Sequence, residues 1–144
     1  MNDKSLETRV VVDASVWVAS LVPQDVFFPP SQKWLQDQHV QGVELLAPVL
    51  LLTEVAGVIG RQTRSPFLAL KAVQTLEKLP GLALVGMNYS LVQLATELAA
   101  RLGLRGADAY YVAVAAFLGL PLATFDQDQS SRSQTVVPGI IVPA

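Results

Sequence analysis

Short apolar runs with no polar residue to mark a wet face alternate along this chain with longer segments of helical period, and no other feature narrows its fold as much. Arg9-Val-Val-Val12 is a β-branched run that reads as a buried strand. Glu44 to Ala47, Leu82 to Val85, Pro121 to Phe125 and Ile140 to Val142 read the same way. Between them, Ala14 to Leu21 has a helical pattern. Ser31 caps a short helix that carries Trp34 and Leu35 and stops near Gly42, and Pro48 opens an apolar helix. Ser65-Pro66 starts another, Ser90 and Gln93 form a capping box for a helix stopped by Gly103, and Asp108 heads the next. Pro23 to Pro30 and Gln127 to Gln134 read as loops. Buried strands alternating with helices predict an α/β fold with a mostly parallel sheet covered on both sides.

A length of 144 residues fits one domain, 1–144, with no repeat or linker to divide it. Hydrophobic residues make up 51%, which excludes a disordered chain. The uncharged stretch from Ala109 to Phe125 approaches membrane-span length, but Gly119 and Pro121 divide it into a buried helix and a buried strand. The N-terminal segment MNDKSLETR mixes both charge signs, unlike a signal sequence. The expected compartment is the cytoplasm, with no membrane association.

Net charge is −2, so any nucleic acid must be drawn by a local patch. The chain has no cysteine and a single histidine, His39, which excludes disulfides, thiolate sites and multi-histidine metal sites. Chemistry, if present, falls to carboxylates. Asp13 follows Val-Val-Val, Glu54 lies inside Leu50-Leu-Leu-Thr-Glu-Val-Ala, Asp108 lies in Gly106-Ala-Asp-Ala, and Asp126 follows Leu122-Ala-Thr-Phe. Ligands of open α/β sheets bind beyond the carboxyl ends of strands, where Asp13 and Asp126 fall and which Asp108 can face. Each acid also has an ordinary structural explanation: helix cap, turn residue, or a side chain reaching water. Gathered together, they repel, and a hard divalent cation, Mg²⁺ or Mn²⁺, relieves that repulsion. Ser15 and Thr124 lie two residues from Asp13 and Asp126 and can orient a carboxylate or simply complete a turn.

Four segments, in order, carry a resemblance to a known family: Val-Val-Val-Asp13-Ala-Ser15, Thr53-Glu54, Ala107-Asp108-Ala-Tyr-Tyr-Val-Ala and Leu122-Ala-Thr124-Phe-Asp126-Gln-Asp128. The sequence resembles the PIN-domain nucleases, most closely the VapC-type toxins, over nearly its whole length. The resemblance implies a three-layer α/β/α fold and metal-dependent cleavage of RNA. It implies that Asp13, Glu54, Asp108 and Asp126 form the acidic cluster, with Asp128 as a further acid, and it implies a cognate antitoxin and a homodimer.

On that reading Asp13, Asp108 and Asp126 hold one or two Mg²⁺ or Mn²⁺ ions, and Glu54 completes the set. Arg61, Arg64, Arg101 and Arg105 are candidate phosphate contacts, or else solvated helix-end charges. Phe27, Phe28, Tyr110 and Tyr111 are candidates for stacking on single-stranded RNA bases, or for core packing. His39 reads as a solvated or capping residue. A dehalogenase-type phosphatase needs an acid where Ser15 stands, a receiver domain needs a late lysine whereas the last is Lys78, and no Gly-rich Lys-Ser/Thr loop is present. The alternative is a catalytically degenerate relative acting as a protein- or RNA-interaction module.

Overall fold

The structure, a computed structural model, describes residues 8–144. The charge pattern of segment 1–7 lies outside them. The elements run β1 (Arg9–Val12), α1 (Ala14–Leu21), α2 (Phe28–Val40), β2 (Glu44–Pro48), α3 (Leu50–Thr63) and α4 (Pro66–Glu77). They continue with β3 (Leu82–Val85), α5 (Tyr89–Leu102), α6 (Gly106–Leu118), β4 (Leu122–Ala123), α7 (Gln127–Ser133) and β5 (Ile140–Ile141). The sheet order is β3-β2-β1-β4-β5, and every pairing is parallel. Successive strands β1, β2 and β3 step outward on one side, and β4 and β5 return to the other side of β1. The strand order therefore reverses between β1 and β4, and in open parallel sheets ligands bind beyond the carboxyl ends of the strands at such a point.

The β-branched run of β1 sits at the centre because both of its faces are covered. Val11 and Val12 are fully buried; Val11 registers with Leu46 on one side and Leu122 on the other. Helix α6 lies against β1, β2 and β4 and packs on α5, while α1 packs on α2 and α3, and α3 on α4. This is the three-layer α/β/α arrangement. Alanines at 109, 113 and 115 in α6 are buried and let its backbone approach the sheet closely. The uncharged stretch from 109 to 125 divides into α6 and β4, and among the described residues no helix is long and apolar enough to cross a membrane.

Several boundaries differ from the sequence reading. Helix α2 begins at Phe28, before Ser31; Pro29 and Pro30 occupy its first turn, where a missing N–H costs nothing, and Ser31 Oγ donates to Phe28 O. Pro48 closes β2 instead of opening α3. Asn88, not Ser90, caps α5, accepting the Leu91 N–H at 2.9 Å. The segment read as a loop after Phe125 is helix α7, held by its cap and by an (i, i+4) ion pair without an apolar stripe. Ser65 does cap α4, and Gly103 ends α5 in the left-handed region with φ 70°.

Candidate active site

The chain runs from β1 directly into Asp13, which caps α1 by accepting the Ser15 N–H at 3.1 Å on Oδ2. Thr124, just past β4, donates its hydroxyl to the same oxygen at 3.1 Å. Its single proton spent, Thr124 Oγ1 accepts from the Asp126 N–H at 3.0 Å. Gln129 on α7 is buried with its amide 3.1 Å from Thr124 Oγ1; with the nitrogen facing inward it also donates to both Asp13 oxygens at 3.3 Å. Ser15 Oγ stands 3.3 Å from Thr124 Oγ1 and accepts the Phe125 N–H at 3.1 Å. Ser15 and Thr124 thus join the two strand ends and orient the Asp13 carboxylate.

Glu54 projects from α3 and accepts a 2.6 Å hydrogen bond from the hydroxyl of Tyr111 on α6. Asp108 occupies the first turn of α6 without capping it. Asp126 caps α7, accepting the Gln129 N–H at 3.0 Å. Four separate elements therefore bring Asp13, Glu54, Asp108 and Asp126 to the carboxyl edge of the sheet.

Their charges act on one another. Burial pushes Asp108 up to about 6, and the charges of Asp13, Asp126 and Glu54 add to that, while Arg105 opposes it. Burial also raises Asp13, against hydrogen bonds from Ser15, Gln129 and Thr124. Glu54 is raised by burial and by the charge of Asp13, and the Tyr111 hydroxyl counteracts. Burial and the adjoining Glu54 hold the Tyr111 phenol well above its ordinary range, so it remains a donor at any working pH.

Among the described residues, the ion pairs are Lys33–Asp37, Arg101–Glu97 and Arg132–Asp128, and none of them neutralises this group. No three acids or histidines among the described residues stand close enough to form a closed metal-ligand set. The expectation of one acidic cluster is met only in part: the carboxylates act on one another electrostatically, but Asp13, Glu54 and Asp126 are each held by local hydrogen-bond partners and no three acids among the described residues close into a ligand set. The chemistry of the donors, though not a closed arrangement of them, is of the kind a hard cation takes. The donors are all oxygen, none forms a salt bridge among the described residues, and Asp13, Glu54 and Asp108 have raised pKa values that a cation would lower.

Asp128 stands apart, with both carboxylate oxygens on Arg132 Nε at 2.9 and 3.0 Å. Arg101 is paired with Glu97, and Arg64 closes α3 in a left-handed conformation. Arg61 is exposed two turns beyond Glu54, and its guanidinium folds back over Gly57, where a Cβ would stand 3.3 Å from Nη1. Arg105 precedes α6 close enough to act on Asp108. His39 is exposed in the last turn of α2. Tyr111 is a core residue, with no face free for a base. Gln129 and the Tyr111 hydroxyl are partners that the sequence reading does not single out. The Asp126-x-x-Gln129 spacing, a capping-box pattern, is the signal that marks the former.

Residues 10–133 match the family model of the PIN domain. The chain belongs to the PIN domain family. No curated protein matches the sequence significantly. Among solved structures, this PIN domain is similar to VapC20 of Mycobacterium tuberculosis, described as a sarcin-ricin loop cleaving toxin, with a TM-score of 0.74 and 19% identity over 85% of this chain and 93% of that one. It is similar to FitAcB from Neisseria gonorrhoeae, with a TM-score of 0.67 and 20% identity over 93% and 97% of the two chains. It is also similar to VapBC-5 of Mycobacterium tuberculosis, a member of the VapBC family of toxin-antitoxin systems, with a TM-score of 0.59 and 20% identity over 94% and 99%. At these identities the likeness is one of fold.

Proposed function

We propose that this PIN domain is a Mg²⁺- or Mn²⁺-dependent endoribonuclease, acting in the cytoplasm as the toxin of a toxin-antitoxin pair. The observation that carries this reading is the mutual repulsion of Asp13, Glu54 and Asp126 with Asp108, none of them in a salt bridge among the described residues and only Arg105 opposing it, beyond the strand ends where the strand order reverses. Asp13 and Asp126 also cap helices, but capping does not call for further acids close by, and the added charges raise the pKa of Asp108 and Glu54.

Asp13, Asp108 and Asp126 would hold the metal, with Glu54 completing the set. When bound, the ion polarises the scissile phosphate and lowers the pKa of water. The chain's own residues do the rest. Ser15, Thr124 and Gln129 fix the Asp13 carboxylate, and Tyr111 fixes Glu54, so neither has to reorganise as charge develops. Arg61, on the Glu54 face of α3, and Arg105, beside Asp108, supply phosphate contacts; Arg64 is a more distant one. Asp128, engaged by Arg132, supports α7 and through it Asp126.

Two partners accompany this reading. The toxin-antitoxin system to which VapBC-5 belongs supports a cognate antitoxin. A second copy of the chain is supported by an apolar recess lined by Val85, Leu91, Leu94 and Val114, with Phe117 and Leu118 exposed at its rim.

The test is incubation of inhibitor-free protein with an RNA pool in Mg²⁺ or in EDTA. Fragmentation in Mg²⁺ alone is expected. Intact RNA in both, with the protein folded, contradicts the reading and favours a degenerate PIN fold acting as an interaction module.

A further inference from the structure

Carboxylates repel phosphate, so beside them an uncharged contact would add affinity beyond what a cation, Arg61 and Arg105 supply. One feature next to the acidic group offers such a contact. Phe125 sits between Thr124 and Asp126, its backbone N–H held by Ser15, and the ring of Phe27 lies parallel to it, with centroids 4.3 Å apart and an interplanar angle of 9°.

Phe27 comes from the connection between α1 and α2, and that connection is firmly built. The Phe27 N–H donates to Asp25 Oδ1 at 2.8 Å, the Phe28 N–H to Asp25 O at 2.9 Å, and the Ser31 N–H to Phe27 O at 3.0 Å. Even so, Phe27 remains 43% exposed. A large apolar side chain fixed in place, stacked on one side and wet elsewhere, presents a flat surface on which a further planar group can continue the stack. Covering Phe125 alone would need only an aliphatic side chain. Among the described residues, the cation lying over a ring is Lys71 on Phe67, so no cation covers Phe27.

We propose that Phe27, backed by Phe125, is a stacking platform for one unpaired nucleobase next to the scissile phosphate. The substrate class is then single-stranded or looped-out RNA, because a base held in a duplex has no free face to offer. The inference rests on the nuclease reading and adds to it the residue on which a base beside the cut would stack.

The test uses the full chain with Mg²⁺ and a short RNA that it cleaves at one position. One flanking nucleotide at a time is made abasic, and kcat/KM is measured for wild type, Phe27→Leu and Phe27→Trp. One abasic position is expected to cost the wild type about tenfold, carried by KM. Phe27→Leu is expected to lose about tenfold on intact RNA and to be indifferent to that abasic position. Phe27→Trp keeps the stack and is expected to match or lower the wild-type KM, which carries the test if the leucine variant is poorly folded. An abasic penalty that persists in full in Phe27→Leu, or tryptophan weakening KM as leucine does, overturns the platform while cleavage itself stands. Absence of cleavage of any RNA by the wild type overturns the nuclease reading and the platform with it.

Discussion

The hydroxyl of Tyr111 donates to Glu54 Oε1 at 2.6 Å, linking α6 to α3 across 57 positions of sequence. Tyr111 is fully buried and Glu54 is not, so the tyrosine anchors the carboxylate from the core side. Hydrogen bonds to a charged group are worth about 1.5–3 kcal/mol, less where water competes. A phenylalanine in its place would keep the packing and remove the donor. Tyr111→Phe is therefore expected to destabilise the protein by about 1–2 kcal/mol in denaturant titration. The same change in a Glu54→Gln background is expected to cost measurably less. RNA cleavage by Tyr111→Phe is expected to fall about tenfold through kcat, one hydrogen bond's worth of misplacement of Glu54.

Asp108 carries the repulsion of three neighbouring acids. Neutralising it removes that repulsion, so Asp108→Asn is expected to melt a few degrees above wild type at pH 7 in EDTA while losing nearly all RNA cleavage. Scanning calorimetry and a cleavage assay on the same preparation check the pair of outcomes. A variant that is both less stable and inactive would mean that Asp108 serves the fold.

The same coupling sets a pH dependence. The pKa of Asp108 is raised from 3.8 to about 6 on folding, and Asp13 and Glu54 are raised too. Groups with raised pKa values bind more protons folded than unfolded, so their contribution is fully present below the unfolded value and is lost as pH rises through the folded one. In EDTA the thermal midpoint of wild type relative to Asp108→Asn is expected to decline between about pH 4 and pH 6. Mn²⁺ is expected to cancel the decline. A difference between the two proteins that does not vary with pH would contradict the coupling.

Helix α7 is tied to the end of α5 by Arg132, which donates to Leu102 O at 3.2 Å while engaging Asp128. The guanidinium fits because residue 103 is glycine: a Cβ there would stand 2.7 Å from Arg132 Nη1, at a φ of 70°. Gly103→Ala is expected to cost about 1–2 kcal/mol from the left-handed backbone alone and more from displacing Arg132. Arg132→Ala, which removes an exposed pair, is expected to cost under about 1 kcal/mol. In the double variant the clash is gone, so its loss should be less than the sum. Strict additivity in urea denaturation would contradict the contact.

The strand ends and the acids after them were legible in the sequence for a simple reason. Val10 to Val12 and Leu122 to Ala123 are buried on both faces, so hydrophobicity alone marks them, and a charged residue directly following must sit at a sheet edge. Helix α7 was not legible, because Gln127 to Ser133 has no apolar period and is held by the Asp126 cap and the Asp128–Arg132 pair. The start of α2 was hidden by Pro29 and Pro30, which read as loop residues although the first turn accepts them. Within the site, positions were readable but partners were not. Nothing in the pattern Asp-Ala-Tyr-Tyr distinguishes Tyr111, buried with its hydroxyl on Glu54, from Tyr110 one residue earlier, which is only half-buried. Long-range hydrogen bonds leave no periodic trace.

The central claim is that Asp13, Glu54, Asp108 and Asp126 serve one divalent cation site, and Mn²⁺ binding by electron paramagnetic resonance tests it most directly. The account predicts saturable binding to wild type, loss of it in both Asp13→Asn and Asp108→Asn, and retention in Asp128→Asn, whose carboxylate faces Arg132. Mn²⁺ that fails to saturate on the folded wild type, or that binds Asp108→Asn as well as wild type, would contradict it.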